Sequence, residues 1–117
     1  METRYLLGLP FICISIEGKT VEALLDTGFD GALSLPQEFI SKLSLQKMGT
    51  AEYILADGSI SSGDIFKGAI EWLGSQKEIE IISSTNDMAL IGMELLYEAK
   101  TILHPKKNIL SIERMEI

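Results

Sequence analysis

The 117-residue sequence has one cysteine and one histidine. A single cysteine cannot form an internal disulfide, and Cys13 lies in an alternating apolar run that predicts a small buried residue. With one histidine, neither a multi-histidine metal site nor a serine or cysteine triad can be assembled unless His104 serves. His104 directly precedes Pro105, which favours a residue flanking a turn. No metal and no cofactor are therefore expected.

Basic charge and long apolar runs are also scarce. Lysine and arginine number 10 against 17 acidic residues, for a net charge of −7, and no basic cluster exceeds Lys106-Lys107. This balance argues against nucleic-acid binding. No apolar run reaches the roughly 20 residues that cross a bilayer, and residues 1–4 lack the start of a targeting segment. We predict a single domain, residues 1–117, that is cytoplasmic and binds neither nucleic acid nor membrane.

The chain is organised around a carboxylate that follows an apolar run. Residues 21–25 predict a buried strand that ends on Asp26, followed by Thr27 and Gly28. A carboxylate at this position is costly unless a partner or a proton compensates it, although Asp, Thr and Gly are also common turn residues. A second apolar strand is predicted at residues 33–36. Asp26 is therefore expected in a tight loop between two buried strands.

Three features in order resemble the retropepsin-like aspartic peptidases, over roughly residues 9–113. The first is two apolar residues before Asp26-Thr27-Gly28. The second is a predicted mobile hairpin whose tip, Ala56-Asp57-Gly58-Ser59, is similar to the flap tips of prokaryotic relatives. The third is Leu90-Ile91-Gly92, in which the glycine lets one strand pass close beneath the catalytic loop. The family often has arginine at the next position, where this chain has Met93, so Asp30 lacks its usual partner.

The patterns predict a mostly β fold, which the resemblance implies is a retropepsin-like closed β-barrel, one lobe of the acid-protease fold, with a flap hairpin and one or two short helices. Residues 2–7 could be a free arm or a terminal strand that pairs only with another chain. Strands are predicted at 10–16, 20–25, 33–36, 53–56, 65–72, 78–83, 88–91, 100–104 and 108–113, with short helices near 36–43 and after Gly92.

The resemblance implies a homodimeric aspartic endopeptidase acting on a peptide or protein substrate. One Asp26 from each subunit would share a proton and activate a water. Thr27 would join the two loops, Gly28 would let the substrate backbone approach, and Ile91 and Gly92 would support the loop. Asp30 and the tip residues Ala56, Asp57, Gly58 and Ser59 would bind substrate.

Two alternatives differ in class. One is a non-catalytic peptide-binding or dimerisation module that keeps the fold, for which Phe29 and Met93 leave room. The other is a phosphoryl-transfer enzyme with Asp26 as nucleophile, which would need a bound metal and further acidic and lysine partners that the sequence does not supply.

Overall fold

The computed structural model describes residues 2–54 and 56–115. This part of the chain is mostly β, with two short helices, α1 (Gln37–Ile40) and α2 (Met93–Leu96), and a 3-10 turn at Pro105–Lys107. The strands are β1 (Thr3–Leu6), β2 (Leu9–Ile16), β3 (Lys19–Leu25), β4 (Leu33–Pro36), β5 (Gln46–Ile54), β6 (Ile60–Trp72), β7 (Ser75–Ser84), β8 (Ala89–Ile91), β9 (Ala99–His104) and β10 (Ile109–Arg114). None of the helices in the described ranges is long and apolar enough to span a membrane.

Eight strands form one sheet in the order β1-β2-β3-β8-β4-β7-β6-β5, and β9 pairs with β10 in a separate hairpin. β8 lies between β3 and β4, parallel to β3 and antiparallel to β4. The loop that joins β3 to β4 must therefore pass over the end of β8. This crossing brings two segments distant in sequence, residues 26–32 and 91–94, against each other.

The core follows from the alternation of branched apolar residues along the strands. In β2, Ile12, Ile14 and Ile16 are buried on one face, while Cys13 between them is half-buried. Ile91 of β8 is fully buried. The indole of Trp72 is also buried and donates a hydrogen bond to the carbonyl of Leu95 at 3.1 Å. α2 is thus fixed to the sheet by packing and by one buried polar contact.

The predicted mostly β class with short helices is confirmed, and the hairpin strands are longer than predicted. β5 begins at Gln46 rather than at residue 53, and β6 begins at Ile60 rather than at residue 65. Much of β5 is exposed on both faces, so it lacks the apolar alternation that marks a strand in sequence. The predicted strand at 53–56 is part of β5 up to Ile54; Leu55 lies outside the described residues.

The N-terminal segment is neither a free arm nor dependent on a second chain for its pairing. β1 pairs antiparallel with β2 of the same chain, from Thr3 opposite Ile12 to Leu6 opposite Leu9. Tyr5 Oη donates to the carbonyl of Ile109 at 2.7 Å. The tight turn between Leu6 and Leu9 makes the pairing local, which is the physical reason for the difference.

Candidate active site

Asp26 stands at the end of β3, and its carboxylate is oriented by its own loop. The Asp26 amide donates to the carbonyl of Ile91 at 2.9 Å. The carboxylate Oδ1 accepts the amide of Gly28 at 2.9 Å. Asp26 is half-buried, whereas Thr27 and Gly28 are exposed. The loop therefore holds the carboxylate in one orientation at the surface of the sheet.

The loop after Asp26 is attached to the start of α2 by backbone hydrogen bonds. Three successive amides of the β8–α2 junction donate to carbonyls of this loop, at 2.8–3.2 Å: Gly92 to Ala32, Met93 to Phe29, and Glu94 to Gly31. Because these bonds use only main-chain atoms, they hold the loop whichever side chains it carries. The position of Asp26 is thereby fixed by β8, which accepts its amide, and by the start of α2, which holds the loop that follows it.

Gly92 occupies the point of closest approach between the two segments. A Cβ built on Gly92 would lie 2.2 Å from the carbonyl oxygen of Gly31 and 2.6 Å from that of Phe29. Both distances are shorter than any real contact, so even alanine would displace the loop. Ile91, one residue earlier, is fully buried and pairs with both Leu25 and Leu33.

Two residues beside the loop differ from the pattern of the family that the sequence resembles. Phe29 is only 5% exposed, and its ring lies against the backbone of Gly31 and Gly92. Met93 is 45% exposed. Asp30 is exposed, and among the described residues it takes part in no ion pair. Backbone bonds and an aromatic ring hold this loop in place of an ion pair.

The tip of the β5–β6 hairpin is ordered by an aspartate turn. Asp57 Oδ1 accepts the amide of Ser59 at 2.9 Å and the Ser59 hydroxyl at 2.5 Å. The hydrogen bond from the Ser59 hydroxyl, followed by the one from its amide, lowers the pKa of Asp57. Gly58 between them has φ +85°, a conformation that glycine adopts without strain.

This hairpin lies over the Asp26 loop. The side chain of Ala56 is 3.8 Å from the position of a Cβ built on Gly28. Tyr53 on β5 makes an edge-to-face contact with Phe29, with ring centroids 6.4 Å apart and an interplanar angle of 67°. The hairpin therefore contacts the loop through one aromatic pair, and its tip lies close to Gly28.

A small cavity of about 40 Å³ separates the hairpin from the loop. Its walls come from the loop, the hairpin and the β4 and β7–β8 segments: Asp26, Gly28, Phe29, Ser34, Tyr53, Ile54, Ala56, Ser84, Asn86 and Leu90. Asp26 is the only carboxylate on this wall among the described residues. Thr27, Asp30 and the tip residues Asp57, Gly58 and Ser59 lie outside it.

Several wall residues were missed from sequence. Ser34 is buried between Leu33 and Leu35, and a serine inside an apolar strand is a signal that could have been used. Ser84 Oγ accepts the amide of Asn86 at 2.9 Å. Tyr53 and Asn86 carry no local signal, because their place beside Asp26 depends on how the sheet is ordered.

A larger cleft of about 480 Å³ lies elsewhere, between β2–β3, the β6–β7 turn and β10. Cys13 and Glu71 are on its wall, as is Arg114. Arg114 donates to the carbonyl of Leu73 at 3.3 Å and to Ser75 Oγ at 3.0 Å. The guanidinium of Arg114 thus attaches β10 to the β6–β7 turn and has a structural role. The Asp26 cavity is the stronger candidate site, because its wall carries the carboxylate that the strand β3 presents.

The fold is that of the retropepsin-like aspartic proteases. The EIAV protease, solved with the inhibitor HBY-793, superposes with a TM-score of 0.71 at 20% identity, over 87% of this chain and all of its own. A retropepsin-like aspartic protease from Rickettsia conorii superposes with a TM-score of 0.66 at 23% identity, over 92% of this chain and 84% of its own. The simian foamy virus (mac) protease gives 0.56 at 18% identity, over 74% and 91%. No protein-family model matches the sequence, and no curated protein matches it significantly.

Proposed function

We propose that this protein is a homodimeric aspartic endopeptidase in which two Asp26 carboxylates, one per subunit, activate a water. The observation that carries the proposal is the Asp26 loop itself. Asp26-Thr27-Gly28 stands at the end of a core strand and lies under a hairpin, and the next residues of its loop, 29–32, accept main-chain bonds from the start of α2. The structural neighbours with the same fold are aspartic proteases, which supports this assignment.

Two such carboxylates at hydrogen-bond distance would titrate as a pair, because two like charges so close cannot both ionise easily; the aspartic-protease dyad is the standard example. The ionised Asp26 takes a proton from the water, and the protonated Asp26 donates to the substrate carbonyl. Water then attacks the carbonyl carbon, and the tetrahedral diol collapses with proton transfer to the leaving amine. No covalent intermediate forms.

The remaining site residues take roles around this pair. Thr27 is exposed beside Asp26, where its hydroxyl can bond to the second loop of the dimer. Gly28 has no side chain to block a substrate backbone. Asp30 is exposed and without an ion pair among the described residues, so it is free to bind a polar group of the peptide. Ile91 and Gly92 support the loop from below.

The β5–β6 hairpin serves as the flap in this proposal. Its tip, Ala56 to Ser59, and Tyr53 must move for a peptide to enter, since the cavity beneath has a volume of only about 40 Å³. A single pair between Ile16 of β2 and Ile70 of β6 joins the two halves of the sheet. We interpret this pair as the closure of the predicted barrel.

One alternative has specific support. Phe29 follows Asp-Thr-Gly and packs against Tyr53 of the hairpin, an arrangement that would also suit a peptide-binding or dimerisation module without turnover. Such a module would keep the dimer and lose hydrolysis.

A peptide library assayed at pH values from about 4 to 7 tests the function. The wild-type protein should cleave internal peptide bonds and bind pepstatin, a statine-type mimic of the transition state. Asp26→Asn should abolish cleavage and keep the fold, because the amide is nearly isosteric with the carboxylate. Asp87→Asn, in an exposed turn, is the matched control and should cleave normally.

The outcomes separate the two functions. Cleavage retained by the Asp26→Asn protein would remove Asp26 from the mechanism. A wild-type dimer that neither cleaves the library nor binds pepstatin would favour the binding module.

A further inference from the structure

Ser34 is a polar residue in a strand whose other buried positions are apolar. It lies between Leu33 and Leu35 on β4 and is only 4% exposed. Within the described part of the chain, its hydroxyl takes part in no hydrogen bond. Buried polar groups are nearly always paired, because an unpaired one has lost its bonds to water. The Ser34 hydroxyl therefore has an unused capacity to donate and to accept a hydrogen bond.

The register of the sheet places Ser34 on the face that borders the Asp26 cavity. Ser34 pairs with Leu90 of β8 and with Ile82 of β7. Residues in register share a face of a sheet, as do residues two apart along a strand, so Leu90 and Ser84 lie on the same face as Ser34. All three belong to the wall of the cavity that contains Asp26. We call the two buried serines, Ser34 and Ser84, the cavity floor.

The second serine of the floor can also bond a ligand. Ser84 is 5% exposed, and its Oγ accepts the amide of Asn86 at 2.9 Å. This contact uses a lone pair of the oxygen and leaves the O–H group as a donor. Asn86, an exposed residue that also lines the cavity, carries a carboxamide that can both donate and accept. Three uncharged polar side chains thus belong to the cavity that holds Asp26.

The size and charge of the cavity limit the chemical group that fits it. Its volume of about 40 Å³ corresponds to roughly three water molecules, which suits a short side chain better than a long one. Among the described residues, its wall contains no lysine or arginine, and Asp26 is its one carboxylate. An acidic group would find no opposite charge there, and an apolar group would leave the serine hydroxyls unpaired. A short, uncharged side chain with a hydroxyl or a carboxamide meets these conditions.

We propose that the cavity floor makes this protein selective for peptides with serine, threonine or asparagine at a position beside the cleaved bond. The inference rests on the endopeptidase function proposed above and names its substrate class. When the hairpin closes over such a peptide, the substrate hydroxyl or carboxamide pairs with the hydroxyls of Ser34 and Ser84. A site that hydrogen-bonds a substrate group discriminates against an analogue without that group, because the buried partners are then left unpaired.

Pairs of peptides that differ only in threonine or valine test the proposal, because these two side chains are similar in size and differ in the hydroxyl. The parent peptides are library members that the wild-type protein cleaves or, if it cleaves none, binds, and each position around the cleaved bond is varied in turn. At one position, kcat/KM or the binding affinity should favour threonine by about tenfold or more. Ser34→Ala should abolish most of this preference. It should not lower the melting temperature, because the hydroxyl that it removes is unpaired in the described chain.

Ser83→Ala is the matched control. Ser83 is 6% exposed and precedes Ser84 on β7, but successive residues of a strand face opposite sides, and Ser83 is not part of the cavity wall. The Ser83→Ala protein should keep the wild-type preference for threonine.

The outcomes separate the selectivity from the enzyme. Equal use of threonine and valine at every position would overturn the proposal, as would a preference that Ser34→Ala leaves intact or that Ser83→Ala removes equally. A protein that neither cleaves nor binds any peptide of the library would overturn it too. Preferential binding of threonine peptides without hydrolysis, lost in the Ser34→Ala protein, would support the cavity floor while refuting the proposed enzyme.

Discussion

At the scale of single residues, this site is defined by one carboxylate and by the absence of one side chain. Asp26 is oriented by the Gly28 amide, and the loop that holds it lies on the backbone at Gly92. The first contact is a weak local bond that many sequences could make. The second is a steric condition at position 92 that only glycine meets. It therefore constrains the sequence of the site more strongly than the first contact does.

Gly92→Ala should destabilise the fold strongly, because its Cβ would be 2.2 Å from a backbone carbonyl. Overpacking a core typically costs about 1–3 kcal/mol, and an obstructing backbone atom cannot rotate away, so we expect about 3 kcal/mol or more. Chemical denaturation of both proteins measures the difference.

Gly74→Ala is the comparison for that substitution. A Cβ there meets nothing within 4 Å, but φ is +86°, so only backbone strain of about 1–2 kcal/mol is expected. If the two alanine variants lose equal stability, the steric role of Gly92 is wrong.

At the scale of elements, the edge strand β1 is held by side chains as well as by its ladder. Arg4 of β1 reaches across β2 and forms an ion pair with Glu22 of β3. The side-chain hydrogen bond from Arg4, together with its charge, lowers the pKa of Glu22 below the usual 4.5. The pair is exposed at the surface, so its influence on stability is small.

This ion pair predicts how β1 responds to pH. Because the folded-state pKa of Glu22 is lowered, the pair stabilises the fold above the ordinary pKa of 4.5 and the contribution is lost as pH falls through the folded value. Protection of the β1 amides from hydrogen exchange should drop by about a few-fold between pH 7 and pH 3.

Glu22→Gln removes the titrating group and serves as the comparison. Its β1 amides should be less protected at pH 7 and should lose no further protection through this pair at low pH. An equal pH response in both proteins would exclude Glu22 as its cause.

At the scale of the whole molecule, the proposed enzyme is complete only as two chains, since the sequence contains one Asp-Thr-Gly. Specific activity should therefore fall when the protein is diluted through its dimer dissociation constant. Removal of residues 108–117 should raise that constant, because β10 carries exposed apolar surface at Ile109, which is 43% exposed. Assays over a concentration series measure both effects.

Mixing provides the control for that dilution experiment. Excess inactive Asp26→Asn chain should inhibit the wild-type protein, because each mixed dimer has a single Asp26. Activity that is constant on dilution and indifferent to the inactive chain would mean that one chain is catalytic alone.

The local features of this protein could be predicted from its residues without a structure. Strand faces and turns depend on side chains a few positions apart, so they can be predicted locally. This applies to the apolar strand that ends on Asp26, to the strand that precedes Gly92 and to the turn at Asp57-Gly58. The mostly β class and the short helices followed from the same patterns. The length of β5 was underestimated, because most of its residues are exposed and show no alternation of apolar and polar side chains.

The order of neighbouring strands could not be predicted from the sequence and became known from the fold. β8 lies between β3 and β4, which sets Gly92 beneath the Asp26 loop and Ser34 in the wall of its cavity. The contact of Tyr53 with Phe29 depends on the same strand order. Periodicity in a sequence specifies the face that a strand buries, but the partner at each edge depends on backbone hydrogen bonds that are alike for every residue.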